Sequence, residues 1–187
     1  MNNTYKTNKT DWRRLVRSIL FVALLLGASL PAMARDYVIT WTNGGTTYYV
    51  GMNGNNIAVK TEFDITCVWT CRNGNNDANL GNTSYSLRNK NNTTYFLSTS
   101  CTRSGDWWSG YTYTWSSLTV QNSANNIWRS SNGGNGNVYA YISGGSGWDT
   151  WNRSASIRVV NNAWAMYDNN NDGSQNSQAR VVRQLYL

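Results

Sequence analysis

The chain has no histidine, one proline and one glutamate among its 187 residues. Without histidine, no Ser-His-Asp or Cys-His catalytic arrangement and no imidazole metal ligand is available. Helix-forming residues are sparse, whereas Asn, Gly, Ser and Thr dominate. No part of residues 35–187 has the 3.6-residue periodicity of an amphipathic helix. These absences predict an all-β protein that is not an enzyme of the histidine-dependent kind.

The N-terminal segment has the pattern of a secretory signal peptide. Basic residues end at Arg17, an apolar run covers Ser18–Leu30, and Ala32 and Ala34 are the small residues that a signal peptidase reads. The apolar run is too short for a comfortable membrane span. We therefore expect residues 1–34 to be removed, leaving residues 35–187 as a single all-β domain without a membrane span, secreted or periplasmic.

The formal charge of +7 overstates the charge of that domain. Residues 35–187 contain eleven basic and eight acidic residues, a balance of about +3, because five basic residues and one acidic residue belong to the leader. The basic residues are scattered along the chain, whereas a nucleic-acid binder concentrates them on a patch or stripe. Charge therefore argues against a nucleic-acid partner.

Three cysteines, Cys67, Cys71 and Cys101, make a disulfide plausible in an exported protein. In an extended strand Cys67 and Cys71 stand roughly 13 Å apart at about 3.3 Å per residue. That separation exceeds the reach of a disulfide, about 7 Å between Cα atoms. Either a bulge brings the two together, or Cys101 pairs with one of them, or the cysteines are small buried side chains.

A pattern repeats three times: an aromatic strand, an Asn/Gly turn, a second aromatic strand and then a lone tryptophan. The units are Tyr37–Val50 with Trp69, Tyr85–Leu97 with Trp115, and Asn126–Ile142 with Trp151. Repeats of this size in an all-strand sequence indicate a closed, pseudo-symmetric β fold.

The first unit contains a strong hairpin signal, since Tyr37–Trp41 and Tyr48–Met52 flank Asn43-Gly44. Beyond the third unit, Ala163–Tyr167 and Arg180–Leu187 have the pattern of a fourth hairpin. Its last strand is a candidate to pair with the N-terminal strand and close the sheet.

These units resemble the ricin-type β-trefoil lectins, in which each of three repeats contributes a late tryptophan to a shared core. The resemblance implies a pseudo-threefold barrel with Trp69, Trp115 and Trp151 in its core, although the family's Gln two residues before each tryptophan is absent. A two-sheet β-sandwich is the alternative architecture.

An aspartate stands beside an aromatic residue before each repeat tryptophan. An aromatic face packs on the C–H surface of a sugar, and a carboxylate accepts hydrogen bonds from its hydroxyls; the resemblance implies the same pairing. The predicted ligand-binding residues are Phe63, Asp64, Asp106, Trp107, Trp108, Tyr111, Trp148 and Asp149. No catalytic residue is predicted, because two solvated acids on an exposed strand explain Glu62 and Asp64 as well as a glycosidase pair does.

A weak calcium candidate lies near the C-terminus, where Asp168, Asn170 and Asp172 precede Gly173 as in the first half of a calcium-binding loop. The closing Glu of such a loop would fall at Ala179, so an Asn/Asp/Gly hairpin loop explains the segment better and no cofactor is expected.

Together these features predict a secreted, non-catalytic carbohydrate-binding module that recognises glycans or a glycosylated surface. The alternative is a protein-interaction module, such as an adhesin subunit or a trefoil-type inhibitor, with a protein partner.

Overall fold

The computed structural model describes residues 36–131 and 136–169, and the backbone of residues 180–183. The predicted signal peptide lies outside these residues. The described chain is all-β, and its largest sheet is a nearly closed, barrel-like structure. A turn of 3-10 helix lies at Ile65–Cys67. The all-β prediction is therefore confirmed.

Fifteen strands are present in the described residues. They are β1 Asp36–Asn43, β2 Thr46–Asn53, β3 Asn56–Lys60, β4 Val68–Asn73, β5 Asn76–Asp77, β6 Ser86–Asn89, β7 Phe96–Ser98, β8 Cys101–Asp106, β9 Gly110–Trp115, β10 Thr119–Gln121, β11 Trp128–Ser130, β12 Val138–Gly144, β13 Trp151–Val160, β14 Ala163–Asp168 and β15 Arg180–Arg183. The largest sheet runs β10-β7-β6-β4-β1-β2-β3, with β15 added to β1 and β5 added to β4. A second sheet runs β11-β12-β13-β14, and β8 and β9 form a separate two-stranded hairpin.

The first predicted hairpin is confirmed. β1 and β2 pair up to Asn43 opposite Thr46, which leaves Gly44 and Gly45 as a two-residue turn. Both glycines have positive φ, +57° and +82°, as the tight turns that match the twist of a hairpin require.

The prediction for the C-terminal strands is partly confirmed. β15 pairs antiparallel with β1, with Tyr37 opposite Arg183, so a C-terminal strand does extend the sheet at the N-terminal strand. In the described residues, however, β14 does not pair with β15. Its partner is β13, reached through a tight turn at Asn161 and Asn162, whose positive φ values asparagine tolerates. The short asparagine turn that follows β13 therefore determines that β14 pairs with β13.

The core is organised around tryptophans, but only one of the three predicted ones is fully buried. Trp69 is inaccessible, and its indole N–H donates to the carbonyl of Val50 over 2.8 Å. Trp128 and Trp164 are also buried, and their indoles donate to the carbonyls of Leu97 and Ala58. Each indole thus fills volume and satisfies a backbone acceptor inside the sheet.

Trp115 and Trp151 depart from the predicted core positions. Trp115 is half-buried and packs against the core from its edge. Trp151 is half-buried at the far end of the β12–β13 hairpin, opposite Gly144 and beyond the core. The reason is strand length. Near Gly144 and Trp151, β12 and β13 extend beyond their neighbours β11 and β14, so Trp151 lies outside the core.

The predicted disulfide is not present, because all three cysteines are free. β4 is extended from Val68, so the chain separates Cys67 from Cys71, and Cys101 lies on β8 of another sheet. Burial raises the pKa of the Cys71 thiol to about 12. The reading of these cysteines as small core side chains therefore describes Cys67 and Cys71, both of which are buried.

Candidate functional site

The β8–β9 hairpin ends in a tip that exposes two adjacent tryptophans, Trp107 and Trp108, with 81% and 92% of their surfaces accessible. Asp106 holds this tip together. Its Oδ1 accepts hydrogen bonds from the backbone N–H of Trp108 (2.9 Å) and Ser109 (2.7 Å) and from the Ser109 hydroxyl (2.8 Å). These bonds, the Ser109 N–H first, lower the pKa of Asp106. The carboxylate therefore fixes the loop that presents both indoles.

The β12–β13 hairpin ends in a second tip that exposes a third tryptophan, Trp148, completely. The loop leaves β12 at Gly145, which has φ of +83° and whose missing Cβ would overlap the carbonyl oxygen of Asp149. Only glycine fits that close approach of backbone to backbone. The loop is therefore compact, and Trp148 and Asp149 have defined positions beside it.

Asp149 joins the two hairpins. Its carboxylate accepts two hydrogen bonds from the Arg103 guanidinium, Nη1 to Oδ1 at 2.9 Å and Nη2 to Oδ2. The Tyr111 hydroxyl lies 3.5 Å from the same Oδ1, at the limit of a hydrogen bond. The Arg103 hydrogen bond lowers the pKa of Asp149, and the same contact raises the pKa of Arg103. The bidentate geometry fixes the orientation of both side chains.

Aromatic and guanidinium groups stack between the two hairpins behind this ion pair. The Arg103 guanidinium lies 4.3 Å from the centre of the Tyr111 ring, and that of Arg153 lies 3.7 Å from the Tyr113 ring. Tyr113 meets Trp151 edge to face, with ring centres 5.4 Å apart. The Arg153–Tyr113 and Tyr113–Trp151 contacts hold one hairpin against the other, whereas the Arg103–Tyr111 contact lies within the β8–β9 hairpin.

Beside the stack lies an open cleft of about 390 Å³. Its walls are formed by Ser143, Gly144, Gly145, Thr150, Trp151 and Asn152. The Trp151 indole rests against Gly144, since a Cβ on that residue would lie 2.5 Å from Trp151 Cζ2. The cleft therefore combines an aromatic surface with hydroxyl and amide groups and contains no charged side chain.

Six of the eight predicted ligand-binding residues come together at these hairpins. Asp106, Trp107, Trp108 and Tyr111 belong to one hairpin, and Trp148 and Asp149 belong to the other. The sequence prediction missed Arg103, the cleft itself and the position of Trp151. Tyr111, Tyr113 and Trp115 alternate along β9, which places their rings on one face of the strand. This alternation is the sequence signal that could have indicated an aromatic face on the hairpin.

Phe63 and Asp64, the remaining pair, lie in the segment between β3 and β4. Phe63 packs near Tyr49, with ring centres 6.0 Å apart. Asp64 accepts from the Thr66 N–H at 2.8 Å, caps the 3-10 turn and pairs with Lys60. The Lys60 contact is the largest cause lowering the pKa of Asp64 to about 2. The contacts described for this pair are with Tyr49, Lys60, Thr66 and Cys67, so the Asp64 carboxylate has a local structural role.

Among the residues that the structure describes, no group of three or more acidic or cysteine side chains is placed to hold a metal. Asp168 ends β14. Asn170 and Asp172, the other members of the calcium candidate, lie outside the described residues. No helix among the described residues is long and apolar enough to cross a membrane.

The class defined by these observations is an all-β protein with a barrel-like sheet and a pair of aromatic-tipped hairpins. Comparisons with protein-family models, curated proteins and solved structures give no match to the chain. The functional argument therefore depends on the site itself.

Proposed function

We propose that the protein is a secreted, non-catalytic carbohydrate-binding module whose site is formed by the β8–β9 and β12–β13 hairpins. The observation that carries the proposal is the cleft, where the Trp151 indole adjoins the polar side chains of Ser143, Thr150 and Asn152. A sugar presents C–H surfaces to an aromatic ring and hydroxyls to such hydrogen-bonding groups. The exposed Trp148, in the loop between Gly145 and Thr150 of the cleft, and Trp108, at the tip of the β8–β9 hairpin, provide further aromatic surface.

The electrostatics of the two aspartates support binding without catalysis. Hydrogen bonds lower the pKa of both Asp106 and Asp149, so both are ionised at neutral pH. Glycoside hydrolysis needs one carboxyl group that keeps its proton, which requires a raised pKa. The carboxylates at this site are suited to accepting hydrogen bonds and to fixing the loops.

The trefoil arrangement remains part of the proposal. Its support is the antiparallel hairpin found in each of the three repeat units, β1–β2, β6–β7 and β11–β12.

The test is a glycan-array screen of the whole protein with and without calcium, followed by titration of the glycans that bind. We expect binding to a related group of glycans and weaker binding by Trp108→Ala and Asp106→Ala. Tyr167→Ala, which removes an exposed aromatic from β14, is the matched control and should bind as the unaltered protein does. Absence of binding to every glycan on the array would contradict the proposed function. Unchanged binding by both Trp108→Ala and Asp106→Ala would contradict the assignment of the site.

One observation favours a second candidate, a protein-interaction module. Three tryptophans that are nearly or fully exposed on adjacent hairpins form the kind of apolar surface that partner proteins bury, and tryptophan is enriched at the centres of interfaces. A partner retained by the protein but not displaced by free sugar, and lost in Trp108→Ala, would favour this candidate.

A further inference from the structure

We propose that the site takes a chain of several uncharged sugar units and not a single terminal sugar. This inference rests on the proposed carbohydrate function and specifies its ligand class. Its basis is the order in which the aromatic surfaces follow one another across the two hairpins.

The contacts between the two hairpins give the order of their aromatic residues from the cleft to the tips. The cleft with Trp151 includes Gly145 and Thr150, the two ends of the loop that exposes Trp148. Asp149, which follows Trp148 in the chain, binds Arg103 of the other hairpin. That hairpin ends in the tip with Trp107 and Trp108. A ligand leaving the cleft along this path meets Trp148 and then the second tip.

The length of the series exceeds one sugar ring. Tyr113, whose ring meets Trp151 of the cleft, is three residues from Gly110, where the tip with Trp107 and Trp108 begins; along the extended strand β9 that is roughly 10 Å at about 3.3 Å per residue. A monosaccharide in the cleft would leave the tryptophans of both tips in water. An oligosaccharide would cover them, which explains why indoles that are nearly or fully exposed occur on two loops fixed by Asp106 and Gly145.

Charge selects against acidic sugars along this path. The walls of the cleft are uncharged, and Arg103 already gives two hydrogen bonds to Asp149. Asp106, ionised beside Trp108, would repel a carboxylate or sulfate on a bound sugar. A chain of neutral units therefore fits the series better than a sialylated, sulfated or uronic acid chain.

The experiment measures affinity against chain length by titration calorimetry. The probes are chito-, cello-, xylo-, manno- and laminari-oligosaccharides, each from the monosaccharide to the hexasaccharide. We expect affinity in the binding series to rise about tenfold or more with length, since each added aromatic contact of about 1.4 kcal/mol gives a factor of ten. Trp108→Ala and Trp148→Ala should each remove part of that rise, and the control Tyr167→Ala should retain it in full.

Two results would overturn the inference while leaving the carbohydrate function intact. One is equal affinity for the monosaccharide and the hexasaccharide, and the other is tighter binding of acidic than of neutral glycans on the array. Absence of binding to every neutral series, with a positive array, would also overturn it. Absence of binding to every glycan on the array would instead contradict the proposed carbohydrate-binding function itself. Both tryptophans lie at exposed loop tips, and an unchanged circular dichroism spectrum would confirm that the variants remain folded.

Discussion

Arg103 and Asp149 lie 46 residues apart in the chain, and their side chains form two parallel hydrogen bonds between the β8–β9 and β12–β13 hairpins. The two hairpins belong to different sheets. The ion pair therefore fixes the position of one hairpin relative to the other, near the tips that carry Trp108 and Trp148. Its contribution is therefore geometric. It aligns two loops into one site, whereas an exposed ion pair contributes little to overall stability.

Removing the arginine should separate the loops without unfolding the protein. Arg103→Met retains an unbranched side chain and deletes the guanidinium, with its bonds to Asp149 and its stacking on Tyr111. We expect glycan affinity to fall about tenfold, the factor that corresponds to about 1.4 kcal/mol of binding energy, with an unchanged melting temperature. Arg129→Met is the control, because Arg129 also stacks on a tyrosine, Tyr141, while its Nε donates to the hydroxyl of Ser84 and not to Asp149. Equal losses in the two variants would contradict the proposed alignment.

The same pair predicts the pH dependence of binding. The Arg103 hydrogen bond lowers the pKa of Asp149 in the folded protein, so the ion pair is complete above the usual aspartate pKa of about 3.9. Its contribution is lost as pH falls through the lowered folded-state pKa. Glycan affinity should therefore be flat from about pH 8 to about pH 5 and fall below about pH 4. In Asp149→Asn the acid-side fall should be reduced, and a fall near neutral pH in the unaltered protein would contradict this.

Gly144 is the residue whose replacement tests the cleft most directly. A Cβ at this position would lie 2.5 Å from Trp151 Cζ2, so Gly144→Ala has to displace the indole from the wall of the cleft. We expect weaker monosaccharide and oligosaccharide binding with the fold retained. Ser143→Ala, next to it in β12, removes a hydroxyl without moving Trp151 and should have a smaller effect in the same titration.

The local patterns of the sequence predicted much of the strand structure. Alternating aromatic residues and the Asn43-Gly44 turn signal identified β1 and β2, because hairpin geometry is set by residues within the hairpin. The pairing of β15 with β1 was also anticipated. The choice of core tryptophans was less successful, because burial depends on how far each strand continues past the sheet. Trp151 shows this, since its strand extends beyond the core.

The candidate site was predicted as three separate places and is found as one paired site and one isolated segment. Sequence patterns identified Trp108 and Trp148 as residues of interest, but they contain no information about which hairpins meet. That depends on the contact between Arg103 and Asp149, far apart in the chain. Asp64 matched the same pattern, yet its carboxylate caps its own turn, which is the common use of aspartate in loops.

Trp128 is expected to be a sensitive position of the core. It is fully buried, and its indole N–H donates to the carbonyl of Leu97 over 2.8 Å. Trp128→Phe leaves that acceptor without its donor and creates a small cavity, so we expect the free energy of unfolding to fall by about 2–3 kcal/mol. Trp148→Phe, the same change at a fully exposed position, should leave the urea midpoint unchanged. Similar midpoints for the two variants would contradict the assignment of Trp128 to the core.

The cysteines should differ in reactivity in an order set by their burial. Burial raises the pKa of Cys71 to about 12 and also raises that of Cys67 and Cys101, so little reactive thiolate forms at neutral pH. Cys67 and Cys71 are buried, whereas Cys101 is partly accessible. Iodoacetamide applied to the folded protein should therefore modify Cys101 first, and all three should react after denaturation, as peptide mass spectrometry would show. A cysteine that resists alkylation in denaturant until a reductant is added would reveal a disulfide and contradict the free-thiol assignment.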